Sequence, residues 1–376
     1  MESAYRGLVA AQLATPGNEA AALGTWQAFR AFDAPAGSPM APAADGAVLW
    51  FLELPDGFVA WLSHGGQTLF HRLDAPKATV TAAARRFLKE SSNPQSPAEA
   101  LRADARVLYG WIVEPFRAGL PPAGASLVIE PDGAMGALPL ASLLAADGSY
   151  LGDRYGVLIS AGHFARRETD PPPAANVLVV ANPLVAGASA ARFPPLADSL
   201  REAEAVRAAF AGSVLLEGRG ATLEALAREL PRAGIVHFAG HGYSSSGYGG
   251  LLLAPLDPAT ADYRLLRASD MRSMDWSRCR LAVLSACAAA EGETHGVHNP
   301  ESLIRALAKA GAPRIAANLW NADSAAAGEL MAQFYGSLKR GDGPAEALRA
   351  AQQALRRTPR WQHPYYWSGF QLYGTT

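Results

Sequence analysis

From residue 176 to the C-terminus, short apolar segments alternate with amphipathic helices, and this alternation constrains the fold most strongly. The segments NVLVV (176–180), GIVHFAG (234–240) and CRLAVLSA (279–286) are nearly continuous runs of apolar residues. Strands that are buried on both faces have this composition, whereas half-exposed strands alternate apolar and polar positions. The pattern therefore predicts an α/β fold, with a mostly parallel sheet covered by helices on both faces.

The first half of the chain has a different pattern. Residues 1–32 are Ala-rich with helical spacing, and apolar runs separated by Pro55-Asp56-Gly57 and Gly65-Gly66 indicate a β-meander. The tripeptide at 171–173 is Pro-Pro-Pro and marks a boundary. We predict an N-terminal helical stub at 1–32, a smaller α+β domain at 47–165, a Pro-rich linker at 166–175 and an α/β domain at 176–376.

Composition and charge exclude several classes of partner. The 33 basic residues are balanced by 34 acidic ones, so no electrostatic footprint for nucleic acid is present. No run of about 18 apolar residues indicates a membrane span, and the N-terminus lacks the pattern of a secretory signal. Two cysteines are too few for a disulfide framework. We expect a cytoplasmic protein with no direct nucleic-acid or membrane partner.

Two apolar segments are followed at once by reactive side chains. His241 follows IVHFAG, and Cys287 follows LAVLSA. Sites in parallel sheets form beyond the C-terminal ends of strands, and neighbouring strands are about 5 Å apart. An imidazole next to a thiol supplies the base that a cysteine nucleophile needs. Gly242 lets a backbone amide approach a substrate carbonyl, and the amide of Cys287 completes a predicted oxyanion hole.

Nearby residues receive simpler interpretations. Cys279 is predicted to enter its strand as a small apolar residue, and His237 to pack in the core or to orient the adjoining loop. The segment YSSSGYGG (243–250) is predicted to be a loop. It is either a gate that substrate or an activator orders, or a flexible turn.

Metal and serine chemistry find little support in the sequence. His237, His241, His295 and His298 lack an H-E-x-x-H arrangement and a cysteine pair. GYSSSG lacks the spacing of a nucleophile elbow, and no phosphate-binding loop motif is present. We therefore predict no metal and no cofactor.

An ordered set of motifs resembles the CHAT domain, a family of caspase-like cysteine peptidases of clan CD that are related to separase. The set consists of VIEPDGAMGALPLASLL, HFAGHG, LAVLSAC, SLIRALAKAGAPRIAANLW, ELMAQFYGSLKRGDGPAEALRAAQQAL and HPYYWSGFQLYG. The resemblance implies a caspase-like α/β/α sandwich preceded by a smaller pseudo-caspase-like domain. It also implies that His241 is the general base, that Cys287 is the nucleophile and that Gly242 lines the oxyanion hole.

The chain departs from the family pattern in two places. Ala288-Ala289 stand where the family usually has an acidic residue and threonine. About 32 helical residues precede the domain, where the family commonly has tetratricopeptide repeats or another sensor. We expect that sensor to be absent, truncated or a separate activator chain.

The function expected from the motifs is that of a cysteine endopeptidase that cuts one or a few protein partners. The resemblance suggests a regulated bacterial defence or cell-death pathway, including antiviral defence, with a gasdermin or a CRISPR-associated protein among the candidate substrates. The alternative is a catalytically silent, caspase-like interaction scaffold. Trp320 is predicted to form an apolar side of the substrate pocket. Asp323 either faces a basic substrate residue or caps the helix that follows.

Overall fold

The computed structural model describes residues 1–31, 46–161, 176–245, 248–286 and 302–374. The chain divides into two compact units, Met1–Arg166 with Gly374–Thr376, and Arg167–Tyr373. The predicted linker at 166–175 lies outside the described residues, and the predicted domain boundaries stay predictions.

The first unit begins with a pair of helices and continues as a mixed sheet with the strand order β3-β2-β1-β4-β5. The meander predicted around the two turn motifs is confirmed, because β1 pairs antiparallel with β2 and β2 with β3. The later strands are parallel, β4 to β1 and β5 to β4. The elements are α1 (Glu2–Leu13), α2 (Glu19–Arg30), β1 (Ala47–Leu54), β2 (Gly57–His64), β3 (Gln67–Arg72), α3 (Lys77–Ser91), α4 (Ala98–Ile112), β4 (Ser126–Glu130), α5 (Leu151–Arg154) and β5 (Gly156–Ser160).

The second unit contains the α/β pattern that the sequence predicts. Its strands lie in the order β14-β13-β12-β8-β6-β7, and the pairs β6–β7, β6–β8, β8–β12 and β12–β13 are parallel. The prediction of a mostly parallel sheet is confirmed. The elements are β6 (Val177–Ala181), α6 (Ala197–Ala209), β7 (Val214–Glu217), α7 (Leu223–Glu229), β8 (Ile235–Gly240), β9 (Gly242–Ser245), β10 (Tyr248–Leu253), β11 (Arg264–Arg267), α8 (Ala268–Ser273), β12 (Leu281–Ala286), α9 (Leu303–Ala310), β13 (Arg314–Asn318), α10 (Ser324–Lys339), α11 (Pro344–Arg357), α12 (Pro364–Trp367) and β14 (Phe370–Gly374).

The central strands of this sheet are apolar because helices cover them. All six residues of β8 are buried, and all five of β6. The helix α10 contributes Phe334 and Tyr335, both fully buried, to the same core. A sheet that is covered in this way leaves its strand ends as the accessible places for chemistry.

The described parts of the segment predicted as a loop, 243–245 and 248–250, lie instead in two antiparallel strands. β9 pairs with β10 through Gly242↔Leu251 and Tyr243↔Gly250, and β10 pairs with β11. Gly250 faces its partner so closely that a Cβ there would lie 2.6 Å from the carbonyl oxygen of Leu266. Glycine at this position therefore permits close strand pairing, and the sequence interpretation mistook that requirement for a loop.

Candidate active site

Two neighbouring strands end at the same edge of the second unit's sheet. Gly240, the last residue of β8, lies opposite Ala286, the last residue of β12. His241 follows Gly240 directly. Cys287 follows Ala286 in the sequence but lies outside the described residues. The two chain segments that carry the predicted dyad are thus adjacent, while the contact between the two side chains stays a prediction.

The imidazole of His241 is held by the segment between β6 and α6. Its Nε2 lies 2.7 Å from the carbonyl oxygen of Pro194. The ring of Phe193 packs against it at 63° with centroids 5.5 Å apart. Because a carbonyl oxygen only accepts hydrogen bonds, Nε2 carries the hydrogen and Nδ1 is the nitrogen free to take a proton. This is the tautomer that a general base at the cavity requires.

A cavity of about 400 Å³ opens beside His241. It is formed by the start of α6, the ends of β8 and β12, the segment after β13 and the start of α10. The described residues of its wall are Leu196, Asp198, Ser199, Glu202, Gly240, His241, Ser285, Ala286, Asn318, Asn321, Ala322, Asp323, Ser324 and Ala327. Three carboxylates and no lysine or arginine occur among them, so the wall has an acidic character.

Glu202, which the sequence interpretation missed, connects the cavity wall to the core. Its Oε2 accepts a hydrogen bond from Ser285 Oγ at 3.0 Å, and its Oε1 lies 3.2 Å from His237 Nε2. His237 is fully buried, and its Nδ1 lies 2.9 Å from the hydroxyl of Tyr335. Burial, and to a smaller extent the charge of Glu202, raises the pKa of Tyr335 well above its usual value. The phenol keeps its proton, and its oxygen and Nδ1 of His237 share one hydrogen bond.

Nε2 of His237 faces the carboxylate of Glu202, although the two groups are not aligned as a hydrogen bond. Ser285 donates to the same carboxylate from the other side. The predicted packing role of His237 thus comes with a specific partner. No local sequence pattern reveals it, since Glu202 and Ser285 are 83 positions apart.

Of the two predicted pocket residues, Asp323 lies in the wall of the cavity and Trp320 does not lie among its described residues. The Oδ1 of Asp323 accepts a hydrogen bond from the backbone amide of Ala326 at 2.9 Å, so Asp323 is the N-cap of α10. It also belongs to the cavity wall. Trp320 is 7% exposed, donates its indole N–H to the carbonyl of Tyr365 and is not among the described residues of the wall.

The two cysteines differ in what the structure describes. Cys279 is fully buried, and burial raises its pKa to about 12, so it stays a protonated thiol at neutral pH. Gly242 begins β9, directly after His241, and is half-buried. The oxyanion hole predicted from the amides of Gly242 and Cys287 stays a prediction, because Cys287 lies outside the described residues.

The described part of the chain shows neither a metal centre nor a membrane-spanning helix. Within it, no group of three or more His, Cys, Asp or Glu side chains is arranged to hold a metal ion. His295 and His298, considered above as possible ligands, lie outside the described residues. None of the helices described is both long and apolar enough to cross a bilayer.

Comparison with solved structures shows which known folds this chain is similar to. Saccharomyces cerevisiae separase, in its complex with securin, superposes on 88% of this chain and 30% of its own, with 10% identity and a TM-score of 0.56. The Arg-specific cysteine proteinase gingipain R covers 79% of this chain and 74% of its own at 9% identity, with a TM-score of 0.45. The likeness to separase shows a mixed α/β fold with a mostly parallel sheet, similar to the fold of that protein.

The family follows from the sequence. The model of the CHAT domain matches residues 102–375, so the chain belongs to the CHAT-domain family. Mouse tetratricopeptide repeat protein 28 is 25% identical over 374 residues, which cover 85% of this chain. The human protein of the same name is 25% identical over 338 residues. The chain spans about 15% of the length of these curated relatives.

Proposed function

We propose that this protein is an endopeptidase that cuts protein partners with Cys287 as nucleophile and His241 as general base. The observation that supports this most directly is the orientation of His241. Its Nε2 is occupied by the Pro194 carbonyl oxygen at 2.7 Å, at the end of the strand that neighbours β12. The free nitrogen is thereby available to the residue that follows β12, which is Cys287.

The reaction follows the ordinary course of thiol peptidases. His241 takes the thiol proton, and the sulfur of Cys287 bonds to the scissile carbonyl carbon while its oxygen is held by the amides of Gly242 and Cys287. The imidazolium then protonates the leaving amine as the carbon–nitrogen bond breaks. Water, deprotonated by His241, hydrolyses the thioester and releases the free thiol. No cofactor takes part in these steps.

The acidic wall of the cavity favours substrates that have a basic residue immediately before the scissile bond. Asp323 uses one oxygen for its cap, which leaves the second oxygen for a lysine or arginine of the substrate. Trp320 was predicted as an apolar side of the same pocket. Its buried indole instead supports a role in fixing the segment that precedes Asp323.

The partners in this proposal are a protein substrate and a separate sensor or activator chain. The structural relative from Saccharomyces cerevisiae was solved with securin, and the curated relatives are named for tetratricopeptide repeats. Both names support regulation by a protein partner. The family resemblance supports a cytoplasmic role in bacterial defence or cell death, with a gasdermin or a CRISPR-associated protein as substrate.

The proposal is tested first on the thiol and then on the proteome. Iodoacetamide should modify Cys287 in the native protein, and His241→Ala should lower that rate at least tenfold at pH 6–7 because the thiolate loses its partner. New protein N-termini should appear in a lysate treated with wild type or Cys279→Ala and not with Cys287→Ala. Equal N-termini with wild type and Cys287→Ala would reject the peptidase and favour a scaffold.

A further inference from the structure

We infer that Glu202 is a positioning residue for the dyad, acting through Ser285 and His237. The inference rests on the proposed function and extends it to a buried carboxylate that the reaction does not itself use. Glu202 is 5% exposed, yet it belongs to the wall of the cavity that contains His241.

The first step is the placement of Glu202 against both strands. Its Oε2 accepts from Ser285, which lies two positions before Cys287 in the sequence. Its Oε1 faces Nε2 of His237, which lies four positions before His241. One carboxylate on α6 therefore contacts β8 and β12, close to the end of each strand, from the same side of the sheet.

The second step is that Glu202 contacts the two strands in different ways. Its Oε2 accepts a hydrogen bond from Ser285, whereas its Oε1 lies 3.2 Å from Nε2 of His237 in a contact that is not aligned as a hydrogen bond. On the other side of the same ring, the hydroxyl of Tyr335 lies 2.9 Å from Nδ1. A neutral amide at position 202 removes the negative charge from both contacts and so weakens the hold on both strands.

The third step is how precisely the reacting groups must be placed. Thiolate formation and attack require the thiol and the imidazole to lie within a few tenths of an ångström of the reactive geometry, and a displacement of about 1 Å lowers the rate about 100-fold. A carboxylate that holds Ser285 and His237 at fixed separation restrains the two strand ends that lead to Cys287 and His241. The groups that face Glu202 are Ser285 and His237. Tyr335 lies behind His237, and Asp198 and Asp323 share the cavity wall.

The test measures the rate of Cys287 modification by iodoacetamide from pH 6 to pH 10. Cys279 is buried and does not compete. Glu202→Gln and Ser285→Ala should each lower the rate about tenfold or more at pH 6 and converge on wild type at pH 10, where any thiol is ionised.

The matched control is Glu204→Gln, an exposed glutamate on the same helix, which should keep the wild-type profile. A Glu202→Gln profile equal to that of Glu204→Gln would overturn the inference, and so would a loss of equal size at every pH. Thermal unfolding is recorded for each variant, and Ser285→Ala replaces Glu202→Gln if the latter does not fold. A wild-type profile with the midpoint of a free thiol, about 8.5, would instead reject the dyad itself.

Discussion

Both units place carboxylates at or near the ends of parallel strands, but they satisfy them differently. In the first unit the partners are arginines. Arg6 forms a two-pronged pair with Asp132, with N–O distances of 2.5 and 2.8 Å, and Arg30 pairs with Glu130, the last residue of β4. In the second unit Glu202 accepts a hydrogen bond from Ser285 and lies 3.2 Å from Nε2 of His237, beside an open cavity.

This difference in partners distinguishes carboxylates that stabilise the fold from carboxylates that can take part in positioning catalytic groups. The arginines of the first unit lie on α1 and α2, so the two ion pairs attach the N-terminal helices to the segment around β4. The guanidinium of Arg6 engages both oxygens of Asp132, and the backbone amide of Glu53 donates to the same carboxylate. The weaker donors around Glu202 keep a carboxylate in place without closing the cavity. Asp132, part of the PDG motif, therefore has an anchoring role.

The largest expected effect in this comparison is on the stability of the first unit. Glu130→Ala leaves the guanidinium of Arg30 buried without its carboxylate, since both side chains are at most 2% exposed. We expect the free energy of unfolding to fall by about 3–5 kcal/mol. Guanidinium-induced unfolding of the full chain, followed by tryptophan fluorescence, measures it. The rate of Cys287 modification should stay at the wild-type value below the transition.

Two further variants make that measurement specific. Glu99→Ala removes the exposed partner of Arg102, at 3.9 Å, and should cost less than about 1 kcal/mol. The double variant Arg30→Met/Glu130→Leu removes both charges and should recover most of the loss. If Glu130→Ala cost no more than Glu99→Ala, the view of the first unit as fixed by buried ion pairs would be wrong.

The sequence predicts features that depend on local patterns, but not contacts between positions that are far apart in the chain. The strands and the position of His241 at the end of β8 were predictable, because continuous apolar runs and the residues that follow them are local patterns. The contacts of His241 with Pro194 and of His237 with Tyr335 join positions 47 and 98 apart, and no local pattern encodes them. The β9–β10 hairpin was missed because glycine at a close strand contact resembles glycine in a loop.

The next effect concerns Asp323, which caps α10 and which we propose also binds a basic residue of the substrate. Asp323→Asn keeps an oxygen for the amide of Ala326 but removes the charge from the cavity wall. We expect the preference for arginine or lysine before the cut to fall about 10–100-fold, because a charge-assisted hydrogen bond contributes about 1.5–3 kcal/mol. A peptide library cleaved by wild type and variant measures this ratio.

A control lies in the same wall. Asp198 is already paired with Arg201, so Asp198→Asn should leave the preference close to wild type. An unchanged cleavage profile for Asp323→Asn would leave Asp323 with its capping role alone. The carboxylates of the wall would then resemble those of the first unit, because they would stabilise the fold and would not bind the substrate.

The smallest effect concerns Cys279, a buried thiol in the same unit as the predicted nucleophile. Burial raises the pKa of Cys279 from 9.0 to about 12. The folded state therefore holds the thiol proton more tightly than the unfolded chain does. The stability that the protonated thiol contributes is fully present below pH 9 and is lost as the pH rises toward 12. Between pH 8 and pH 10 the loss should be about 1 kcal/mol. Unfolding by guanidinium at both pH values should show this loss of stability in wild type and not in Cys279→Ala, since alanine has no proton to release.

If the two proteins lost stability equally, Cys279 would be no more protected from ionisation than in the unfolded chain. Its exclusion as a second nucleophile would then need a different reason from burial.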